Sequence, residues 1–159
     1  MLAGSKSRFS LLSLVLAVVL LWGPAAAAVE FPEGQLTIAT AGGARHAFRI
    51  EIAVTPAQRA QGLMFRTELA PNAGMLFIYE SEGQVAMWMK NTFVSLDMLF
   101  ISRRGEILRI AERTVPHSTA TIPSGQPAKG VLEVPAGTAA RLGIAPGDRV
   151  LHPAFGTGP

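Results

Sequence analysis

Apolar residues in this chain come in short runs, several alternating with polar ones and most bounded by Gly, Pro or Asn; that pattern leaves room for many strands and little helix. Ala47 to Val54 is the clearest case. Phe48, Ile50, Ile52 and Val54 fall on one face, Arg49 and Glu51 on the other, which describes a half-buried strand. Leu36 to Ile38 precedes it across the turn-like Gly42-Gly43, and Val29 to Gly34 reads as a loose lead-in. Further strands are expected at Gly74 to Tyr79, Gln84 to Asn91, Leu96 to Ser102, Glu106 to Ala111, Gly130 to Val134 and Asp148 to Leu151. Thr55-Pro56 opens a short helix, the hydroxyl placed to cap it and the proline at its first position, and Gly62 closes it. A second short helix runs from Ala136 to Leu142 and stops at Gly143. The expected fold is α+β: a mainly antiparallel sheet curled into a compact barrel-like core, with two short helices.

Two strands separated by Thr92-Phe93-Val94-Ser95 suggest a hairpin with a four-residue loop. Pairing Asn91 with Leu96 sets Lys90 opposite Asp97, Met89 opposite Met98 and Trp88 opposite Leu99. A one-residue slip would scramble both faces, so this register is the expectation. Arg113 to Lys129, long, hydroxyl-rich and without periodicity, reads as a functional or mobile loop.

The N-terminus has Lys6 and Arg8, then an apolar run from Leu14 to Trp22, then Gly23-Pro24 and Ala25 to Ala28. That order is the pattern of a secretory signal, residues 1–28, leaving a single domain over 29–159 with its core at about 36–151. The apolar run falls short of the roughly 20 residues of a membrane span. The expected location is therefore periplasmic or extracellular, with no stable membrane span after cleavage; an uncleaved anchor is the alternative. Loss of Lys6 and Arg8 takes the formal net charge of +3 down by two, to about +1. The remaining cations are scattered among acids, so no nucleic-acid partner is expected. The absence of cysteine excludes disulfides, thiolate nucleophiles and Cys-held zinc, and stability must come from the core.

Gly62-Leu63-Met64-Phe65-Arg66, Gly74-Met75-Leu76-Phe77, Trp88-Met89-Lys90-Asn91-Thr92 and Asp97 follow one another at a particular spacing. Phe100-Ile101, Gly105-Glu106-Ile107, Pro116, Val131-Leu132-Glu133, Ala136-Gly137, Gly143-Ile144 and Gly147-Asp148 continue it. Over roughly Ile50 to Val150 the chain resembles the exported bacterial and archaeal proteins of domain-of-unknown-function family 192. The resemblance implies identity and brings no activity with it. It adds weight to the Trp-Met-Lys-Asn-Thr string as a signature.

Candidate ligand-binding residues are Arg66, Trp88, Lys90, Asn91, Thr92, Asp97, Arg113 and Glu133. An aromatic wall with a few convergent polar groups is what a small-ligand site needs. The competing reading of Lys90 and Asp97 is an ordinary ion pair across a hairpin, contributing about 0.2–1 kcal/mol. Glu133, between Leu132 and Val134, either points outward, accepts hydrogen bonds from the long loop, or pairs with an arginine such as Arg113. Met64, Met75, Met87, Met89 and Met98 raise the alternative of a Cu(I)-binding protein, since thioethers are soft ligands; core packing is the simpler reading. No catalytic triad or H-E-x-x-H spacing occurs, and Gly143 to Asp148 is a helix stop and turn, because no Gly-Lys-Ser/Thr comes after it. The chain is read as a non-enzymatic exported domain without a cofactor, binding a small polar or anionic ligand or a partner segment. A cell-envelope hydrolase using Asp97 or Glu133 as base is the alternative.

We expect the exported chain to begin near Ala28 or Val29, as mass spectrometry of the secreted protein would read directly. An intact Met1 in a membrane fraction would instead establish the anchor.

Overall fold

A computed structural model describes residues 28–158; all of the expected leader except Ala28 lies outside the described residues. The chain runs β1 (Glu33–Ala39), β2 (Arg45–Ala53), α1 (Pro56–Gln61), β3 (Ala73–Gly83), β4 (Ala86–Met87), β5 (Leu96–Ile101), β6 (Ile107–Ala111), β7 (Ile122–Pro123), β8 (Ala128–Pro135), α2 (Thr138–Leu142) and β9 (Arg149–Leu151). A 3-10 turn at Pro153–Phe155 comes last, with His152 at its N-cap. Seven strands form one sheet in the order β6-β5-β8-β3-β2-β1-β9, and β4 pairs with β7 separately. Every pairing in the large sheet is antiparallel except β2 with β3. The sheet curls until its two edges touch. Glu106 bridges Arg149, the Ile107 amide donates to the Asp148 carbonyl at 2.9 Å, and the Val150 amide donates to the Gly105 carbonyl at 2.7 Å. The expected α+β, mainly antiparallel, barrel-like architecture with two short helices is what the chain adopts.

Local sequence explains the turns. Thr55 and Gln58 form a reciprocal capping box at the start of α1, with Pro56 in its first turn. Gly62 ends the helix at φ 49°, and a Cβ there would sit 3.0 Å from the Phe77 ring, so both backbone and packing exclude a larger residue. Its ψ of −139° lies outside the left-handed helical well usual for a glycine at a helix end.

Both faces of the sheet carry a buried apolar layer. Leu36, Ile38, Phe48, Ile50, Leu76, Leu99, Leu132, Val134 and Val150 form one, with Ala139 and Ile144 packed against them from around α2. Met75, Phe77, Met98, Phe100 and Val131 form the other, together with Leu63, Val85 and Met89. Thus β5 and β8 read as largely apolar runs, interrupted by Asp97 and Glu133, because neither has a solvent face.

That burial overturns the expected hairpin. β5 has β6 on one side and β8 on the other, so no edge is left for the segment before it. Only Ala86 and Met87 of Gln84–Asn91 form strand, and they pair with Ile122 and Pro123 from within the long loop. Residues Trp88 to Ser95 make turns instead, with the Thr92 amide donating to the Met89 carbonyl at 3.1 Å and Asn91 at φ 54°. Lys90 is exposed and Asp97 fully buried, and the two do not pair.

Asp97 is held by the backbone. One carboxylate oxygen accepts from the Arg113 amide at 2.9 Å and the Gly137 amide at 3.1 Å, the other from the Ala139 amide at 2.9 Å. This ties the start of β5 to the chain after β6 and to the entry of α2. Hydrogen bonds to a charged acceptor are worth about 1.5–3 kcal/mol each, and a buried donor left unpaired costs about 1–3 kcal/mol. We therefore expect Asp97→Asn to lower unfolding free energy by about 2–4 kcal/mol in urea titrations.

Candidate functional site

Four of the eight candidate residues, Trp88, Lys90, Thr92 and Glu133, line one cleft of about 90 Å³, next to the Gly62-Leu63-Met64 turn. Arg59 from α1, Phe77 and Tyr79 from β3 and Met87 from β4 complete its walls. The remaining four lie apart from it. Arg66 is paired with Glu51 at 2.6 Å. Asn91 turns its amide toward the Met64 sulfur at 3.9 Å and accepts the Phe65 amide on its carbonyl at 2.8 Å. Arg113 lays its guanidinium over Gly137, where a Cβ would come within 2.9 Å of it. Asp97 is taken up by the three backbone amides at the entry of α2. Arg59 and Tyr79 are wall residues that the sequence reading passed over. Arg59 stands one turn before Gly62, but nothing in a lone basic residue of a six-residue helix marks it out.

The cleft is polar at specific points. Lys90 places its ammonium 5.3 Å from the centre of the Trp88 ring and has no ion pair among the described residues. Arg59 is committed: its guanidinium donates to the Val54 carbonyl, and at 3.1 Å to the Ile78 carbonyl, and lies 5.1 Å from the centre of the Tyr79 ring. The Tyr79 hydroxyl donates to the Met87 sulfur at 3.5 Å. Burial pushes the Tyr79 pKa up; Arg59 opposes that shift and the nearby Glu133 adds to it.

Glu133 is the least expected member. It lies on central strand β8, opposite Met75 of β3 and Met98 of β5, in a layer that is otherwise apolar. It is 4 % exposed, and among the described residues its side chain makes no ion pair. Desolvation raises its pKa from 4.5 to about 8, so at neutral pH it is a carboxylic acid carrying a proton. None of the alternatives left open for it, an outward position, hydrogen bonds from the long loop or pairing with an arginine such as Arg113, occurs among the described residues. Gly74 lets β3 approach β8 closely, since a Cβ there would lie 2.5 Å from the Glu133 backbone carbonyl oxygen.

The methionines divide. Met75, Met89 and Met98 are fully buried in the core, with the Met89 sulfur accepting from the Thr114 hydroxyl at 3.1 Å. Met64 and Met87 border the cleft. Among the described residues, no three His, Asp or Glu side chains gather as a metal site would require.

Beside the cleft the surface is apolar and the backbone strained. Phe65 and Phe93 are exposed and meet edge to face with centroids 6.3 Å apart, and Phe93 lies 5.0 Å from the His117 ring. Phe65, Asn91 and His117 have positive φ, and the Phe65 and His117 amides donate to the carbonyls of Asn91 and Thr92. Strain of this kind concentrates at functional surfaces.

This chain matches domain-of-unknown-function family 192, described as Uncharacterized ACR, over residues 37–152, and it belongs to that family. No curated protein matches it. Among solved structures, it is similar to a Sinorhizobium meliloti 1021 protein provisionally described as a transcription regulator: 47% identity, TM-score 0.78, covering 80% of this chain and 99% of that one. A protein of unknown function from Novosphingobium aromaticivorans DSM 12444 is 40% identical with a TM-score of 0.72, over 79% of this chain and 93% of that one.

Glu133 gives the fold a pH dependence. The unfolded chain releases this proton near pH 4.5 and the folded chain near pH 8, so the folded state binds more protons in between. Stability therefore falls as pH rises through that window, by on the order of 5 kcal/mol if no other group compensates. We expect Glu133→Gln to remove this slope, and to unfold at higher urea than the parent at pH 8.5.

Proposed function

We propose that this chain is an exported domain that binds a small polar or anionic ligand in the Trp88/Lys90/Glu133 cleft and performs no chemistry on it. The observation that carries this reading is the convergence of three aromatic rings, a buried carboxyl and an ammonium without an ion pair among the described residues on one concave site. Each has the role such a site requires: the rings offer apolar contact, and the ammonium and carboxyl fix orientation. Asp97 and Arg113 are left out of it: the Asp97 carboxylate is held by backbone amides at the entry of α2, and the Arg113 guanidinium lies over Gly137 there. A partner segment is the second reading, and the exposed Phe65 and Phe93 beside the cleft favour it, since apolar surface of this kind marks interaction sites. An envelope hydrolase draws support from the raised Glu133 pKa, which suits a general acid; the Thr92 hydroxyl, directed to the Lys90 carbonyl at 3.3 Å, offers it no activated nucleophile. Regulation of transcription, suggested by the Sinorhizobium relative's description, finds no basic run on this chain to hold a nucleic acid.

Trp22 and Trp88 are the chain's tryptophans, so in a Trp22→Phe background the indole signal belongs to Trp88. We expect propionate, inorganic phosphate or propionamide to shift that signal saturably, in fluorescence and in the indole N–H resonance. Lys90→Met should weaken anion binding by about tenfold, the equivalent of one modest charge contact, while unfolding free energy changes by no more than about 1 kcal/mol. Silence from all three probes, or a Lys90→Met variant that loses stability and keeps full binding, would overturn the proposal.

A further inference from the structure

We infer that the ligand of this cleft is a short monocarboxylate, which shares a proton with the Glu133 carboxyl and sets its charge against Lys90. The inference rests on the cleft being a binding site and names what enters it.

The charges and donors on the cleft select this chemistry. Among the described residues, the ammonium of Lys90 is the cleft's cation without a carbonyl or carboxylate partner, because Arg59 already donates to two backbone carbonyls. A single available cation suits a ligand with a single negative charge, whereas phosphate, at about −1.5 to −2, would leave charge unmatched beside buried apolar surface. The second requirement comes from Glu133. Its carboxyl sits in an apolar layer on the cleft wall, and a protonated carboxyl has one O–H to donate. A carboxylate is the complement, since one of its oxygens accepts that proton and the other faces the ammonium. Two carboxyl groups sharing one proton is also the arrangement that avoids placing two like charges together. The space, about 90 Å³, equals roughly three water volumes and limits the buried part to a short acyl end. Anything longer passes out over the half-exposed Trp88 ring.

The other groups facing Glu133 leave its proton as the variable one. Tyr79 on β3 is raised further above its ordinary value near 10, Arg59 on α1 and Lys90 are the neighbouring cations, and β5 contributes Met98 opposite. Because the bound state requires the Glu133 proton, propionate affinity must fall by about tenfold for each pH unit above the Glu133 pKa. At constant pH just above that value, binding takes up a proton.

The test is calorimetry of propionate binding to the full chain between pH 6 and 9.5, repeated in two buffers of different ionisation enthalpy, and again with Glu133→Gln. The wild-type chain should bind propionate at pH 6 to 7, lose affinity in alkali, and show buffer-dependent heats near pH 8.5. Glu133→Gln keeps a donor at every pH, so its affinity should stay level across the range. Propionate affinity that is flat with pH in the wild type, with no proton uptake, overturns the inference whatever the variant does. Preference for phosphate or propionamide over propionate at pH 6.5 also overturns it while leaving the cleft a binding site. No response of the Trp88 signal to any of the three would remove both.

Discussion

The position of β8 in the sheet governs the chemistry of the cleft. This strand pairs along its length with β3 on one side and β5 on the other, and each face of that three-strand centre is covered by its own apolar layer. A strand with two paired edges and two buried faces exchanges water for protein everywhere, which suits Val131, Leu132 and Val134 and penalises a charge. Glu133 stands in the middle of that run. Its raised pKa is a consequence of strand order, and a surface strand with the same sequence would leave it an ordinary carboxylate.

Two other buried carboxylates show how the fold treats a charge that it needs for structure. Asp97 receives three backbone amides where β5, the chain after β6 and α2 meet. Asp148 receives those of Ala41 and Ala145, both at 2.8 Å, at the corner where β9 joins the sheet. Asp97 lies near the start of β5 and Asp148 in the turn before β9, each within reach of helix entries and loops whose amides are not used by a ladder. Glu133 sits mid-strand, where neighbouring amides are spent on the ladder, so nothing of the backbone is left to meet it. The same rule that makes Asp97 and Asp148 joints leaves Glu133 facing a cleft.

This also explains what was legible in the sequence and what was not. Short alternating runs marked the strands, Thr55-Pro56 marked α1, and the signature string brought Trp88, Lys90 and Thr92 onto one site. The expected hairpin failed because local pattern cannot say whether an edge is vacant: Leu96 to Ile101 is fully buried, and both of its edges belong to strands that the pattern before Leu96 does not reveal. For the same reason Lys90 and Asp97, seven residues apart and of opposite charge, looked like partners and are not. Arg59 and Tyr79 join the cleft through long-range packing, α1 against β3, which no spacing announces. Glu133 was visible as an acid between two apolar residues, and only the sheet order decided that it faces inward.

The buried carboxyl has a cost, and its size bears on why the site is built this way. Neutral Glu133 avoids the penalty of a buried charge, yet it still sets a polar carboxyl in a layer that is otherwise apolar. A methionine or leucine would fill the layer between Met75 and Met98 without that cost. Core requirements therefore do not account for Glu133, whereas they fully account for Met75, Met89 and Met98 beside it. Positive φ at Phe65 and Asn91, next in sequence to the cleft residues Met64, Lys90 and Thr92, points the same way, while Arg113, also at positive φ, stands at the entry of α2. A polar residue kept in an apolar layer, in a domain with no disulfide to compensate, is what the proposed binding site would require. A ligand that hydrogen-bonds to Glu133 would offset part of that cost on binding.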